Sequence, residues 1–248
     1  MAVIRSYKLP NITSRLQDLT VSSAKNEVNF GVKLGSLKQV LFFNCGKLEN
    51  YNCPNSVENL VIRDYDSLTS LTFSAVHEHL FGLTSLEIRF CKNLKLFPHE
   101  YFQSLTSLEE LEIHDCPSID YSFPCGLWPT NIRKLTIGCL KKPMPEWGPQ
   151  NFPARLLELY LHGKNSGVVS FAVADDVGNT TTTPSSSSSF LLPPSLVSLT
   201  LWKFTDVESF SEVLQHLPCL KRLDILSCPK IRDLNTTFDP SNLTIRVV

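Results

Sequence analysis

The chain has 248 residues, 42% of them hydrophobic, and a formal net charge of −1. That is enough apolar mass for a substantial core, and the charge balance creates no global field to draw in nucleic acid or an anionic membrane surface. No stretch approaches the roughly 20 apolar residues of a membrane helix, and the apolar run at Met1–Arg5 is too short for a secretory signal, so a cytoplasmic protein, with the nucleus also open to it, is expected.

Read in chain order, a nine-residue phrase recurs: apolar, two variable, apolar, one variable, apolar, two variable, then often Cys. It starts at Leu16 (LQDLTVSS), Leu37 (LKQVLFFNC), Val57 (VENLVIRDY), Leu83 (LTSLEIRFC), Leu108 (LEELEIHDC), Ile132 (IRKLTIGC), Leu156 (LLELYLHG), Leu196 (LVSLTLWKF) and Leu220 (LKRLDILSC). Leu243-Thr244-Ile245 reads as a truncated tenth strand. Most starts lie 20 to 26 residues apart. A fixed period of this length means stacked repeats, and the spacing falls in the leucine-rich repeat range. Positions four and six alternate with polar residues, the period-2 signature of a strand with one buried side. Leu111 and Ile113 are therefore expected inside, and Glu110, Glu112 and His114 outside. The expected fold class is α/β: one leucine-rich repeat domain over 1–248, an irregular horseshoe with a parallel sheet on the concave face and mixed short-helix and extended returns on the convex face.

Between the phrases, Ser74–Phe81 and Ser209–Leu217 read as short helices with Ser caps, and Pro98–Leu105 as another. Cys139–Pro153 carries four prolines and is expected to be extended or turned. The interval from Leu156 to Leu196 is 40 residues. Its excess contains the polar tract Asn179–Ser189 (NTTTTPSSSSS), and a disordered Ser/Thr-rich insertion is expected over 165–190. Neither Met1–Arg15 nor the final Ile245-Arg246-Val247-Val248 shows a polar capping pattern, as expected of a piece of a larger architecture.

Cys45, Cys91, Cys116 and Cys228 share the ninth position of the phrase. Such a residue ends the strand and is small enough to bury while bonding to a neighbouring repeat. Reduced thiols are expected rather than a disulfide framework. No Cys-x-x-Cys spacing occurs among the eight cysteines, so no metal is expected. His77 and His79, two apart on a predicted helix, fall on different faces. His114, Asp115 and Cys116 are explained by the repeat, and the carboxylates Glu109, Glu110 and Glu112 sit on an open sheet that cannot shift their acidity strongly. No catalytic residue and no cofactor are expected. Lys134, Lys141, Lys142, Lys221 and Arg222 are dispersed among acids, so no nucleic-acid stripe forms.

What remains is a display surface. The outward columns of successive phrases place Phe43, Arg63, Arg89, Phe90, His114, Tyr160, His162, Trp202 and Lys203 along the concave face. Aromatic and Arg side chains are the usual anchors of protein interfaces, so another protein is the expected partner and no membrane is.

The stretches LEELEIHDCPSI (Leu108–Ile119) and LKRLDILSCPKI (Leu220–Ile231), the lead-in LPPSLVSLTL (Leu192–Leu201), the segment Leu96–Ile119 and the segment MPEWGPQNFPARLLELYLHG (Met144–Gly163) carry a family resemblance. They are similar to the C-terminal repeats of plant intracellular disease-resistance proteins of the coiled-coil nucleotide-binding leucine-rich repeat class. The resemblance covers roughly Leu37 to Ile245. It implies a role in pathogen sensing, with a pathogen effector, a guarded host protein or a nucleotide-binding receptor domain as partner. That family's phosphate loop, G-x-x-x-x-G-K-[S/T], and its N-terminal heptads do not occur in this sequence, so nucleotide binding and cell-death signalling are not implied. The alternatives are an F-box-type substrate adaptor, whose docking motif of about 40 residues would not fit in Met1–Arg15, and an inhibitor scaffold, which the proline-rich returns disfavour.

Overall fold

The computed structural model describes residues 2–4, 16–22, 36–44, 48–74, 82–147, 152–153, 155–173, 189–232, 234 and 243–248. Each phrase becomes a short strand because alternation lets one side leave water while the other stays wet. In chain order the strands are β1 Ala2–Ile4, β2 Asp18–Ser22, β3 Gln39–Phe43, β4 Asn50–Cys53, β5 Asn59–Arg63, β6 Ser70–Phe73, β7 Ser85–Arg89 and β8 Glu110–Cys116. They continue with β9 Lys134–Leu140, β10 Glu158–His162, β11 Ser170–Val173, β12 Ser189–Leu192, β13 Ser198–Trp202, β14 Arg222–Leu226 and β15 Thr244–Val247.

Eleven of these form one sheet in the order β1-β2-β3-β5-β7-β8-β9-β10-β13-β14-β15. Every pairing in it is parallel. The register matches the phrase position for position: Leu86 faces Leu111, then Leu135, Leu159, Leu199 and Leu223. The truncated phrase at 243 supplies β15, and β1 adds a strand that the repeat did not announce. Two smaller parallel sheets, β4-β6 and β11-β12, lie in the returns. The molecule is a parallel β-solenoid.

Two backbone features hold the stack in register. The carbonyl of position two accepts the N–H groups of positions two and three of the next phrase; Lys38 O, Glu58 O, Thr84 O, Glu109 O, Arg133 O, Leu157 O and Val197 O all do so. At the other end, position eight turns left-handed: Asn44, Asp64, Phe90, Asp115, Cys139, Lys203 and Ser227 all have positive φ. In most repeats the strand ends just before this residue; β8 and β9 continue through it to Cys116 and Leu140. Buried thiols then tie neighbours together. Cys91, Cys116 and Cys228 donate to the carbonyls of Ile62, Ile88 and Leu201, each one repeat back. The seven described cysteines form no disulfide.

The core is one continuous cluster. Leu111 and Ile113 are buried with their counterparts in every repeat, and Leu94, Ile119 and Ile231 re-enter it three residues after the ninth position. The helical part of the expected α/β class is thin. Among the described residues it amounts to one four-residue α turn, α1 (Ser211–Leu214), and 3-10 segments at His99–Ser104 and Met144–Glu146. Of the helix expected at Ser209–Leu217 only α1 is α-helical, and Phe210 stands at its N-cap with no side-chain capping bond. The helix expected at Ser74–Phe81 lies outside the described residues beyond Ser74.

The segment 165–190 also differs from expectation at both ends. Ser170–Val173 and Ser189–Leu192 pair as β11 and β12, and Phe171 and Phe190 are buried against the core. These two large rings pack the flanks against the core; the rest of the expected insertion, 174–188, lies outside the described residues.

Candidate functional site

The outward side of the large sheet carries positions five and seven of each phrase in two rows. Because neighbouring strands in a parallel sheet sit about 4.8 Å apart, side chains of one row reach across strands. Arg63 on β5 donates through Nε and Nη2 to both carboxylate oxygens of Glu87 on β7. Arg89 Nε lies 2.9 Å from Glu87 Oε1, and its Nη1 3.6 Å from Glu112 Oε1 on β8. Glu112 Oε1 is in turn 2.9 Å from His114 Nε2. The hydrogen bond to Glu87 pushes the Arg63 guanidinium further above its usual range. The hydrogen bond from His114 holds the Glu112 carboxyl below its usual value. Both expected arginine anchors therefore sit in an ion-pair chain rather than standing alone.

The row continues into a pair of imidazoles. His114 on β8 and His162 on β10 stand two strands apart, with Gly138 of β9 opposite both. Gly138 has φ 148°, and a Cβ there would sit 2.6 Å from the Cβ of His162 and closer still to its carbonyl oxygen. A glycine is the residue that fits. The gap it leaves lets the rings lean together and stack, with centroids 4.1 Å apart and 19° between planes. Both histidines are about 5% exposed, so they form the floor of the face rather than its projections.

Asp115 completes this floor. It occupies position eight with φ 54°, and its carboxylate comes back to the histidine side. Its Oδ2 lies 2.8 Å from His114 Nδ1 and 3.8 Å from His162 Nδ1. The second distance is too long for a hydrogen bond, and His162 Nδ1 finds no hydrogen-bond partner among the described residues. Burial, reinforced by the nearby His114, depresses the His162 pKa to about 3, so the ring is neutral at ordinary pH. The Cys139 thiol, at position eight of the next phrase, is pushed up to about 11 by burial and by Asp115. Asp115 and Cys139 also line a cleft of about 270 Å³ at the strand ends, together with Lys92 and Lys164.

Beyond the histidines the face turns aromatic. The His162 ring centre lies 4.9 Å from that of Tyr160 and 4.6 Å from that of Trp202, whose plane is perpendicular to it, and the Lys203 ammonium lies 4.2 Å from the Trp202 ring centre. Burial raises the Tyr160 phenol. Farther along, the buried Asp224 carboxylate accepts Nε of Arg222 at 2.7 Å and of Arg246 at 2.9 Å.

Of the nine residues expected on the face, the structure brings eight into one contiguous band: Arg63, Arg89, His114, Phe90, His162, Tyr160, Trp202 and Lys203. Phe43 joins from β3, its ring 5.5 Å from the Arg63 guanidinium carbon. Phe90 differs from its expected place on the sheet. It sits at the left-handed strand end, 41% exposed, with its ring 5.4 Å from His114. Sequence reasoning passed over Glu87, Glu112, Asp115 and Gly138 as binding-face residues. The signal for Asp115 was present in the run Asn44, Asp64, Asp115 at position eight, since Asn and Asp tolerate the left-handed region best.

No protein-family model matches the chain, and neither does any curated protein. No helix among the described residues is long and apolar enough to cross a membrane.

Proposed function

We propose that the chain is a leucine-rich repeat recognition module of the plant intracellular immune-receptor type, acting in the cytoplasm by binding another protein and carrying out no catalysis itself. The observation that carries this reading is the contiguous band of arginine, histidine and aromatic side chains on the outward rows of an eleven-stranded parallel sheet. Rigid strands fix the spacing of these groups, so a partner meets a preorganised surface and loses little entropy there. Trp202 with Lys203 on its ring, Tyr160, and the half-buried Arg89 are the anchors. The nine stacked phrases and the thiols that bond one repeat back support the repeat class. The partner is a pathogen effector, a guarded host protein or the nucleotide-binding domain of a receptor. Any change of state it triggers must come from unequal affinity for two forms.

Crosslinking of the tagged chain in leaf cells, with quantitative mass spectrometry, tests the reading. A Tyr160→Ala/Trp202→Ala double variant is expected to lose a specific set of crosslinked proteins that the wild type and Leu127→Ser retain. Leu127 is exposed but belongs to a return and not to the large sheet. Equal recovery from all three chains, each folded by circular dichroism, overturns the outward face as the binding surface.

A further inference from the structure

We infer that His114, Asp115 and His162 form a binding site for one divalent first-row transition-metal ion of the zinc class. One ligand atom from each lies within 4.8 Å of the other two. The donor set, two imidazole nitrogens and one carboxylate oxygen, is the kind that zinc and its neighbours prefer.

Two features of the arrangement suit such an ion. The first concerns His114. Its Nε2 lies 2.9 Å from Glu112 Oε1 and its Nδ1 2.8 Å from Asp115 Oδ2. An ion between His114 Nδ1 and Asp115 Oδ2 would take one bond from each and leave Nε2–H to donate to Glu112. This is the carboxylate–histidine–metal relay that usually orients such ligands. The second concerns His162. Its Nδ1 is buried, directed at the same Asp115 oxygen from 3.8 Å, and has no hydrogen-bond partner among the described residues. A buried polar atom in that state is destabilising, and the same ion satisfies it.

The required movement is small. Ligand atoms about 2.1 Å from a tetrahedral ion lie about 3.4 Å from one another. The 2.8 Å contact must open by about 0.6 Å and the 3.8 Å contact close by about 0.4 Å, which lies within the reach of χ rotations. The frame is already in place. Gly138 clears the space in which the rings meet, and the left-handed turn at Asp115 brings its carboxylate over. Asp115 also lines the cleft at the strand ends, which gives the ion a path in and leaves a fourth coordination position toward it. The adjoining Cys139 lines the same cleft as Asp115 but stands outside the three-residue group.

The test uses the full chain, stripped with chelator under reducing conditions and titrated with Zn²⁺ by calorimetry and with Co²⁺ by visible absorption. One ion per chain is expected, with Co²⁺ bands of tetrahedral type and no thiolate-to-cobalt charge-transfer band. Asp115→Asn keeps a residue suited to the left-handed backbone and removes the anionic ligand, so Zn²⁺ affinity should fall about 10–100-fold or more. His162→Gln should do the same, and Cys139→Ser should bind like the wild type. X-ray absorption at the zinc edge of the wild type provides a readout that no variant can confuse: a shell of nitrogen and oxygen alone supports the site. A sulfur shell, loss of binding in Cys139→Ser, affinity unchanged in Asp115→Asn, or a wild type that binds no Zn²⁺ overturns it.

Discussion

At position eight of the phrase the demand comes from the backbone. Asn44, Asp64, Phe90, Asp115, Cys139, Lys203 and Ser227 have φ between 45° and 58°, a region that costs an ordinary L-residue about 1–2 kcal/mol. Ser227 is exposed there, so Ser227→Gly should raise the free energy of unfolding by about 0.5–1 kcal/mol once the greater freedom of glycine in the unfolded chain is deducted. Thr200→Gly, in the middle of β13, should lower it by about 0.5–1 kcal/mol. Urea unfolding compares the two; a loss in both would contradict the left-handed turn at 227. Apolar spacing reveals which residues face inward, and positions four and six were legible for that reason. It says nothing of φ, and alternation assigns consecutive residues to opposite faces. Asp115 escapes that rule because its backbone turns, and its contact with the preceding His114 was invisible for the same reason. The buried thiols give a pH signature. Cys53 is 1% exposed, and burial pushes its pKa to about 12 from a usual 9.0. The folded chain keeps this proton where the unfolded chain loses it, so the stabilisation is complete below the usual value and disappears as pH climbs toward 12. Wild type should lose about 1.4 kcal/mol more than Cys53→Ala on going from about pH 8 to pH 10, as read by urea midpoints. Equal losses would place Cys53 in a solvated setting.

Among the elements, strands were far more legible than returns. Strands inherit a strict demand, two buried side chains at fixed offsets, and each of the nine phrases meets it. Returns need only bring the chain back, and several backbones will do. In Ser209–Leu217 the apolar residues Phe210, Val213, Leu214 and Leu217 are buried at helical spacing, as expected. Yet the backbone tightens after a single bond from Leu214 N to Phe210 O, and the next bonds, His216 N to Val213 O and Leu217 N to Leu214 O, close three-residue turns. The helical pattern marked what is buried and not how the chain runs between. The β9–β10 junction provides a sharper demand on one residue. At Gly138 a Cβ would collide with the backbone and Cβ of His162, atoms that cannot swing away as a side-chain tip can. Gly138→Ala should therefore destabilise by about 1–3 kcal/mol or more and separate the stacked imidazoles. Chemical denaturation measures the first, and histidine ring proton shifts in NMR report the second. An unchanged midpoint would mean that the strands can part at no cost.

The whole molecule is a stack, and that shapes both what was legible in the candidate site and how the fold should fail. The two outward rows follow from the phrase alone, which is why Arg63, Arg89, His114, Tyr160, His162 and Trp202 could be placed together. Their partners could not be named, because Glu87 reaching Arg63, or His114 reaching His162 across Gly138, depends on register between strands that are 24 to 48 residues apart in sequence. Energy is distributed in the same neighbour-to-neighbour fashion. Apart from the His114–His162 stack that bridges β9, the strands of the large sheet make their main contacts with the strands beside them in the order, so stability should behave as a sum of repeat and interface contributions. Leu135 is buried in β9, in the interior of the eleven-strand order. Leu135→Ala should cost about 2–5 kcal/mol, and a one-dimensional stack should express that loss locally. Hydrogen exchange in the variant is then expected to quicken most in β8, β9 and β10, with β3 and β14 retaining most of their protection. A uniform acceleration across all strands would show instead that the continuous core couples the repeats into one cooperative unit, and that a substitution anywhere in the stack is felt equally across the outward face.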